Sequence, residues 1–424
     1  MNDNIATPFA KPLYVMLKPA GAHCNLDCKY CYYLEKNNLY NTSQRHLMTD
    51  EMLEQFTLEY IEAQTMNQVL FTWHGGEPLM RSIDFYKKAL ELQKKYAHGK
   101  QIDNVIQTNG TLLTDEWCAF FAQNHFLVGI SIDGPQEYHD HYRQTSAGKP
   151  SWEKVMHGIS LLKKHRVEWN AMAVVNAYNA EHPLEFYHFF RDNGCQYLQF
   201  TPIVERLTEH EDGRTLASLA DVSHEDNYED VGNAKKQKEN QEITIANFSV
   251  TPEQWGKFLC TIFDDWVRHD VGKIFVEIFD CTLANWVGVQ PGICAYSKEC
   301  GHAGVMEHNG DVFSCDHFVF PEYKLGNIQD KSLIDMLYGE KQQAFSRLKH
   351  TSLPRQCKEC DMEFACHGEC PKNRFENDKY GEPGLNYLCK GYYEYYTHVA
   401  PYMDFMKREL QAQRPPANIM NVLK

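Results

Sequence analysis

The first half of the chain alternates between short apolar runs and stretches with helical spacing. Six runs rich in β-branched or apolar residues predict strands, and they begin at Leu13, Val69, Asn104, Leu127, Asn170 and Tyr197. Predicted helices begin between them at Thr49, Ser82 and Thr114. Strands that alternate with helices indicate βαβ units around a parallel sheet. The pattern therefore predicts an α/β fold, a partial (β/α)6 barrel, whose chemistry lies at the carboxyl ends of the strands.

The pattern changes after the sixth strand. A charged stretch of 205–242, poor in apolar residues, predicts a surface insertion or mobile loop. Thr251 then begins a capping box, and the helix after it places six large apolar residues in the core: Trp255, Phe258, Leu259, Ile262, Phe263 and Trp266. We expect five segments: a partial barrel over 1–204, the insertion over 205–242, a helical connector over 243–291, a loop-rich, cysteine-dense domain over 292–390, and a helical tail over 391–424.

Length and charge exclude several classes of protein. The 424 residues suffice for two or three domains, and no apolar run approaches the ~18 residues of a membrane helix. The net charge of −15 argues against nucleic acid as a partner, because phosphate binding needs a basic surface. The first twelve residues lack the pattern of a signal peptide, which predicts a cytoplasmic location without a membrane partner.

Fifteen cysteines are the unusual feature of the composition. In a chain without an export signal, clustered cysteines indicate metal binding or catalysis more often than disulfides. Cys24, Cys28 and Cys31 form a Cx3Cx2C triad directly after the first predicted strand. Three thiolates on one loop can hold three irons of a [4Fe–4S] cubane, which leaves the fourth iron open for chemistry. The alternative is a structural zinc site, which normally takes four protein ligands.

A second group of cysteines lies in the last third of the chain. Its eight members are Cys294, Cys300, Cys315, Cys357, Cys360, Cys366, Cys370 and Cys389. For this half alone a zinc ribbon is the alternative interpretation. Eight thiolates match two fully ligated cubanes, which have no open site and are suited to electron transfer.

The triad, with Tyr30 before its last cysteine, resembles the radical S-adenosylmethionine superfamily. The resemblance implies that the open iron binds S-adenosylmethionine, whose reductive cleavage gives a 5′-deoxyadenosyl radical. Several further residues, most of them in turns after strands, match the superfamily and are implied to bind this cofactor: Gly75, Gly76, Glu77, Asn109, Ser131, Arg143 and Leu198. An arginine suits the cofactor's carboxylate because its fork binds both oxygens. Each turn alone is a weak signal, because glycine-rich turns are common.

The second group resembles the SPASM domain, which carries two auxiliary [4Fe–4S] clusters and brings the expected total to three. The resemblance implies that one cluster is held by Cys294, Cys300, Cys315 and Cys370, and the other by Cys357, Cys360, Cys366 and Cys389.

Asp316 follows Cys315 directly, and Tyr33 stands two residues after the triad. Both match the anaerobic sulfatase-maturating enzymes, which oxidise a Cys or Ser of a sulfatase to Cα-formylglycine. The resemblance implies that Asp316 is the general base, that Tyr33 binds substrate, that a nascent or unfolded sulfatase segment is the substrate, and that a flavodoxin or ferredoxin donates electrons. The alternatives are a SPASM enzyme that crosslinks a ribosomal peptide, a non-catalytic electron carrier and, for Asp316, an ordinary solvated acid.

Overall fold

The computed structural model describes residues 12–33, 36, 39–40, 47–210, 213–216 and 244–423. The strands, in chain order, are β1 (Tyr14–Lys18), β2 (Gln68–Trp73), β3 (Gln101–Thr108), β4 (Leu127–Ser131), β5 (Trp169–Val175), β6 (Tyr197–Pro202), β7 (Arg206–His210), β8 (Gly213–Leu216), β9 (Thr244–Ile245), β10 (Phe275–Val276), β11 (Ala303–Glu307), β12 (Asp311–Phe313), β13 (Lys324–Asn327), β14 (Arg374–Asn377) and β15 (Pro383–Asn386).

The helices, in the same order, are α1 (Asp50–Ala63), α2 (Ile83–Tyr96), α3 (Asp115–Gln123), α4 (Gln136–Tyr142), α5 (Trp152–His165), α6 (Pro183–Asp192), α7 (Pro252–His269), α8 (Glu277–Val287), α9 (Leu333–Leu337), α10 (Glu340–Thr351), α11 (Arg355–Lys358), α12 (Glu363–Cys366), α13 (Cys389–Gln411) and α14 (Ile419–Val422). Within the described ranges, none of these helices has both the length and the apolar character that a membrane span requires.

One of two compact units contains the described residues of 1–131, 140–169 and 301–346. Its sheet is parallel from β4 through β3, β2 and β1 to β11, and β12 and β13 continue it antiparallel. Thr49 caps α1 by accepting a hydrogen bond from the amide of Met52, and the apolar face of the helix is buried. This packing brings the carboxyl ends of β1, β2, β3 and β4 to one edge of the sheet, where the loops with candidate residues begin.

The other unit contains the described residues of 132–139, 170–300 and 347–424. In it β5, β6 and β10 are parallel, and the long helices α7 and α13 pack together. Two glycines make this contact close: a Cβ on Gly391 would lie 2.2 Å from the carbonyl oxygen of Pro252 and 2.9 Å from the backbone nitrogen of Gly256. The capping box of Thr251 and Gln254 begins α7, and its six predicted core residues are buried.

The predicted α/β class and all six predicted strands are confirmed. The structure differs from the sequence prediction at the charged insertion, because 206–210 and 213–216 form the antiparallel strands β7 and β8, and β9 pairs with β7. The backbone hydrogen bonds of this small sheet do not depend on an apolar run, so the charged composition concealed them. Residues 217–243, which form most of the predicted insertion, lie outside the described residues.

Candidate active site

The triad loop is held by backbone hydrogen bonds. The amide of Cys31 donates to the carbonyl of Cys28 at 2.9 Å, and the amides of Asp27 and Lys29 donate to the carbonyls of Gln144 and Tyr142 at 2.7 and 3.1 Å. The Leu26 amide lies 3.4 Å from the sulfur of Cys24. The protein therefore fixes the course of this loop through its own main chain.

The glycine pair after β2 packs against the segment that leads into the triad. The amide of Gly76 donates to the carbonyl of Gly21 at 2.7 Å, and the amide of Glu77 donates to that of His23 at 2.9 Å. A Cβ on Gly76 would lie 2.2 Å from the carbonyl oxygen of His23, closer than real atoms approach. Glycine is required here because two backbone segments touch.

Glu77 joins the second and third strand ends. Its carboxylate is fully buried and accepts hydrogen bonds from the amide of Leu79, the hydroxyl of Thr108 and the amide of Asn109 at 2.8–2.9 Å. Burial raises the pKa of Glu77 to about 7, although these donors oppose the shift. The side chain of Asn109 then reaches the triad loop, 2.9 Å from Asn25 Oδ1 and 3.7 Å from Cys24 Sγ.

The other predicted cofactor residues fall into two groups. Arg143 is buried, with its guanidinium 5.5 Å from the ring centre of Tyr30, so both lie beside the triad. Ser131 ends β4 and accepts a 3.0 Å hydrogen bond from Gln107 of β3. Leu198 belongs to the other unit, where it is buried on β6. The roles of these residues toward the cofactor stay predictions.

Asp316 belongs to a buried ion pair. Its Oδ1 lies 2.5 Å from the ammonium of Lys18, which is fully buried at the end of β1, and its Oδ2 accepts a 2.5 Å hydrogen bond from the hydroxyl of Tyr32. The Asp316 side chain is 16 % exposed, so the interpretation as a solvated acid does not fit. Burial would raise the pKa of Asp316, but Lys18, with His74 and His317, outweighs it and holds the pKa below its usual value.

His74 and Tyr33 complete the surroundings of Lys18. His74 Nδ1 faces two donors, the amide of Gly75 at 2.8 Å and the Lys18 ammonium at 3.2 Å, so it must be the unprotonated ring nitrogen. Burial and then Lys18 lower the pKa of His74 to about 4, which keeps the ring neutral. The Tyr33 ring lies 3.9 Å from the Lys18 ammonium, and its hydroxyl donates to the buried carboxylate of Glu307.

Tyr32 rather than Tyr33 thus contacts the predicted base. Tyr33 is 4 % exposed, and its role in substrate binding stays a prediction. Sequence reasoning did not identify Lys18 or Tyr32, and it assigned no role to His74. The available signal was a lysine at the carboxyl end of an otherwise apolar strand, a place that favours chemistry over solvation.

Seven of the eight auxiliary cysteines lie in the unit of 132–139, 170–300 and 347–424, where they form two groups. Cys370 interacts electrostatically with Cys294 and Cys300. Cys366 interacts in the same way with Cys357 and Cys389, and Cys389 with Cys360. The crossed ligand sets that the resemblance implies, which also include Cys315 of the first unit, stay a prediction.

The donor chemistry fits iron–sulfur clusters. Burial raises the pKa of Cys24, Cys357 and Cys300 to about 12, 12 and 11, so each thiolate needs a positive partner, which iron supplies. Among the described residues, no three His, Cys, Asp or Glu side chains converge as the ligands of a single metal ion would. The ligands of a cubane each bind a separate iron and need not converge.

Comparisons with known proteins extend this picture. Residues 19–190 match the radical SAM superfamily, and residues 299–361 match an iron–sulfur cluster-binding domain. The chain is 66 % identical to a serine-type anaerobic sulfatase-maturating enzyme of Bacteroides thetaiotaomicron, over 100 % of this chain and 98 % of that one. It is 30 % identical to a cysteine-type enzyme of Clostridium perfringens, over 92 % and 97 %. A solved structure described as native anSMEcpe with bound AdoMet matches with a TM-score of 0.78 and 29 % identity, over 94 % and 100 % of the two chains.

Proposed function

The chain belongs to the family of anaerobic sulfatase-maturating enzymes, and we propose that the residue it oxidises is a serine of a sulfatase. Enzymes of this family convert a Ser or Cys side chain to Cα-formylglycine with S-adenosylmethionine and iron–sulfur clusters. The 66 % identity to a serine-type relative, against 30 % to a cysteine-type relative, supports serine.

We assign three [4Fe–4S] clusters to the chain. Cys24, Cys28 and Cys31 would hold the cluster that binds S-adenosylmethionine, with Tyr30, Gly75, Gly76, Glu77, Asn109, Ser131, Arg143 and Leu198 around the cofactor. The eight C-terminal cysteines would hold the other two. When bound, the first cluster and S-adenosylmethionine supply the abstraction of one hydrogen atom from the substrate Cβ.

The ion pair of Lys18 and Asp316 is the observation that supports the proposal best. Oxidation of a serine to an aldehyde removes a hydrogen atom, a proton and an electron, and the hydroxyl proton needs an acceptor. A base must be ionised before it accepts a proton, and Lys18 keeps Asp316 ionised. The low pKa makes Asp316 a weak base, which suffices because a hydroxyl next to a carbon radical is far more acidic than an ordinary alcohol.

Tyr32 fixes the direction of this carboxylate. Its hydroxyl occupies Oδ2 while Lys18 occupies Oδ1, so Asp316 is held from both oxygens, and each retains a lone pair for the substrate. Lys18 is held in turn by His74 and the face of Tyr33. The base is therefore positioned before a substrate arrives, which lowers the cost of orienting it.

The clusters that the eight C-terminal cysteines would hold would supply the acceptor for the remaining electron, and we propose that a flavodoxin or ferredoxin donates the electron that begins each cycle. The substrate would be an unfolded or nascent segment, because a folded sulfatase would not expose the serine to a buried base. The cytoplasmic location stays a prediction.

The test uses three peptides that differ at one position. Reduced enzyme is incubated with S-adenosylmethionine and a sulfatase segment that carries Ser, Cys or Ala at the target position, and the products are measured by mass spectrometry. We expect the Ser peptide to lose two mass units and to react faster than the Cys peptide, while the Ala peptide stays unchanged. Faster conversion of Cys would refute the serine assignment, and no conversion of either would refute the activity.

A further inference from the structure

Two buried cations lie among the loops that carry the auxiliary cysteines. Lys349 is fully buried, and its ammonium donates to the carbonyls of Cys294, Ala295 and Ser297 at 2.5, 2.7 and 2.5 Å. An ammonium has three donors, and all three end on the backbone of the loop that begins at Cys294. The described hydrogen bonds thus give Lys349 no carboxylate partner.

Arg374 makes the same kind of contact with the loop between Cys366 and Cys370. Its guanidinium donates to the carbonyls of His367, Gly368 and Glu369 at 2.7, 2.8 and 2.9 Å. These three residues have positive φ angles of 49°, 67° and 54°, an unusual run that turns their carbonyls toward the arginine. A left-handed turn with two non-glycine residues persists only when its surroundings hold it.

The two cations are also linked to each other. Arg374 Nη1 donates to the carbonyl oxygen of Lys349 at 2.5 Å. The nearest acid, Glu369, is buried and accepts a 2.9 Å hydrogen bond from Asn386, and burial raises its pKa. Even an ionised Glu369 would balance only one of the two cations.

The cysteine thiols near the two cations can ionise to negatively charged thiolates. Burial lowers the pKa of Lys349, and the electrostatic interactions with Cys300, Cys370 and Cys294 oppose this shift. Arg374 interacts with Cys357, Cys366 and Cys370. Lys349 thus interacts with the group of Cys294, Cys300 and Cys370, whereas Arg374 interacts with members of both groups. Buried charges are stable when they are paired, and a cubane with four thiolates carries the net negative charge that would pair them.

We propose that Lys349 and Arg374 form a cationic bridge that raises the reduction potentials of both auxiliary clusters. Reduction adds one negative charge to a cluster, so a fixed nearby cation favours the reduced form. The role of the bridge in the reaction rests on the proposed function. The substrate radical loses one electron as its proton goes to Asp316, one auxiliary cluster gains that electron, and the bridge makes the cluster a better acceptor until an external electron carrier removes it.

The bridge also explains why the cations bind carbonyls instead of carboxylates. A salt bridge to Asp or Glu would cancel the field at the cluster, whereas a carbonyl satisfies each donor and leaves the net charge in place. Lys349 and Arg374 are positioning residues in this account, because neither touches substrate.

The test measures potentials without substrate, in a background where Cys24, Cys28 and Cys31 are all Ala, so that only the auxiliary clusters give a signal. Redox titration followed by electron paramagnetic resonance is compared for Arg374→Gln, Arg374→Lys, Lys349→Gln and Lys349→Arg. Arg268→Gln is the matched control, because Arg268 is exposed and pairs with Asp264 on α7. Iron content is measured for every variant.

We expect each Gln variant to lower the equilibrium constant for reduction of at least one cluster about tenfold, which is about 59 mV for one electron. The charge-conserving variants should keep most of the parent potential, and the control should keep all of it. Unchanged potentials in iron-replete Gln variants would overturn the bridge. Equal shifts in Arg374→Lys and Arg374→Gln would overturn its electrostatic basis, and so would iron loss in both Arg374 variants combined with an unshifted Lys349→Gln. A parent enzyme with the expected potentials that makes no formylglycine would refute the proposed function alone.

Discussion

The two cysteine regions of this chain are built in different ways. The triad loop follows β1, and it is held by hydrogen bonds to 142–144 and by the strand-end residues Glu77 and Asn109. The auxiliary cysteines lie on loops and on helices as short as four residues, joined by a left-handed turn and two buried cations. A sheet places the first site, whereas the second depends on polar contacts and on the groups it binds.

This difference indicates how far the protein itself orders each site. Around the triad, hydrogen bonds to the main chain of neighbouring segments hold the backbone, so we expect a cluster to occupy a prepared position. Around the auxiliary cysteines, several ligand residues lie on loops and very short helices, and we expect metal binding to supply part of the folding free energy there. Five experiments test the comparison.

Removal of iron should have the largest effect, and it should act on one region. Chelation should unfold the loops of 294–300 and 347–389, because their buried thiols lose their positive partners, while the helices and strands of 47–200 stay folded. Limited proteolysis with mass spectrometry would locate the first cuts. Early cuts in 47–200 would show that the sheet also depends on a cluster.

Replacement of the triad tests the other half of the comparison. Cys24, Cys28 and Cys31 changed together to Ala should abolish cleavage of S-adenosylmethionine, with about eight of about twelve irons retained, at four per cubane. Circular dichroism should match the parent protein because the loop has its own hydrogen bonds. Cleavage by this variant would refute the assignment of the triad.

Asp316→Asn separates the two halves of the reaction. Asn has nearly the same shape but cannot accept the proton, so formylglycine should fall by ~10²–10⁴-fold while 5′-deoxyadenosine still forms. With deuterium at the substrate Cβ, the label should still reach 5′-deoxyadenosine. Full formylglycine yield would exclude Asp316 as the base, and loss of iron would make it a support for the loop of Cys315.

Arg143→Ala should weaken S-adenosylmethionine binding by roughly 10–100-fold, the effect of losing a hydrogen bond to a charged group of about 1.5–3 kcal/mol. Cluster iron should not change. Arg143→Lys should restore binding poorly, because an ammonium lacks the planar fork. Equilibrium dialysis with the labelled cofactor measures all three proteins, and equal affinities would remove Arg143 from the cofactor site.

Gly76→Ala, compared with Gly292→Ala, should have the smallest and most local effect of the five changes. The added methyl group at Gly76 would collide with the backbone of Ala22 and His23, which should cost about 1–3 kcal/mol of unfolding free energy and displace the triad loop. A methyl group on Gly292 meets no atom within 4 Å, so that variant is the control. Denaturant unfolding measures both, and equal stabilities would contradict the close contact.

The sequence predicts the fold well where local patterns determine it. The strands and α1 follow from periodicity and capping, and the cysteine groups follow from spacing. The strands β7 and β8 were not predicted, because the charged stretch that contains them lacks the pattern of apolar residues that indicates a strand. The ion pair of Lys18 could not be predicted either, since its partner Asp316 lies almost 300 positions away in the sequence. Tyr32 and Tyr33 contact different residues because of the backbone conformation of the loop after the triad. The spacing of residues in the sequence does not predict that conformation.

The glycine contact between α7 and α13 determines the position of the last cysteine. Cys389 is the first residue of α13, and Gly391, one half-turn further, is the residue that touches Pro252 and Gly256. A slip of one residue along a helix moves each side chain by about 1.5 Å and rotates it by about 100°. A Cβ at the contact would collide with backbone, so α13 can pack on α7 in only one register. That register determines the position and direction of the Cys389 side chain. Gly256 and Gly391, which have no side chains, thereby determine where the thiol of Cys389 lies.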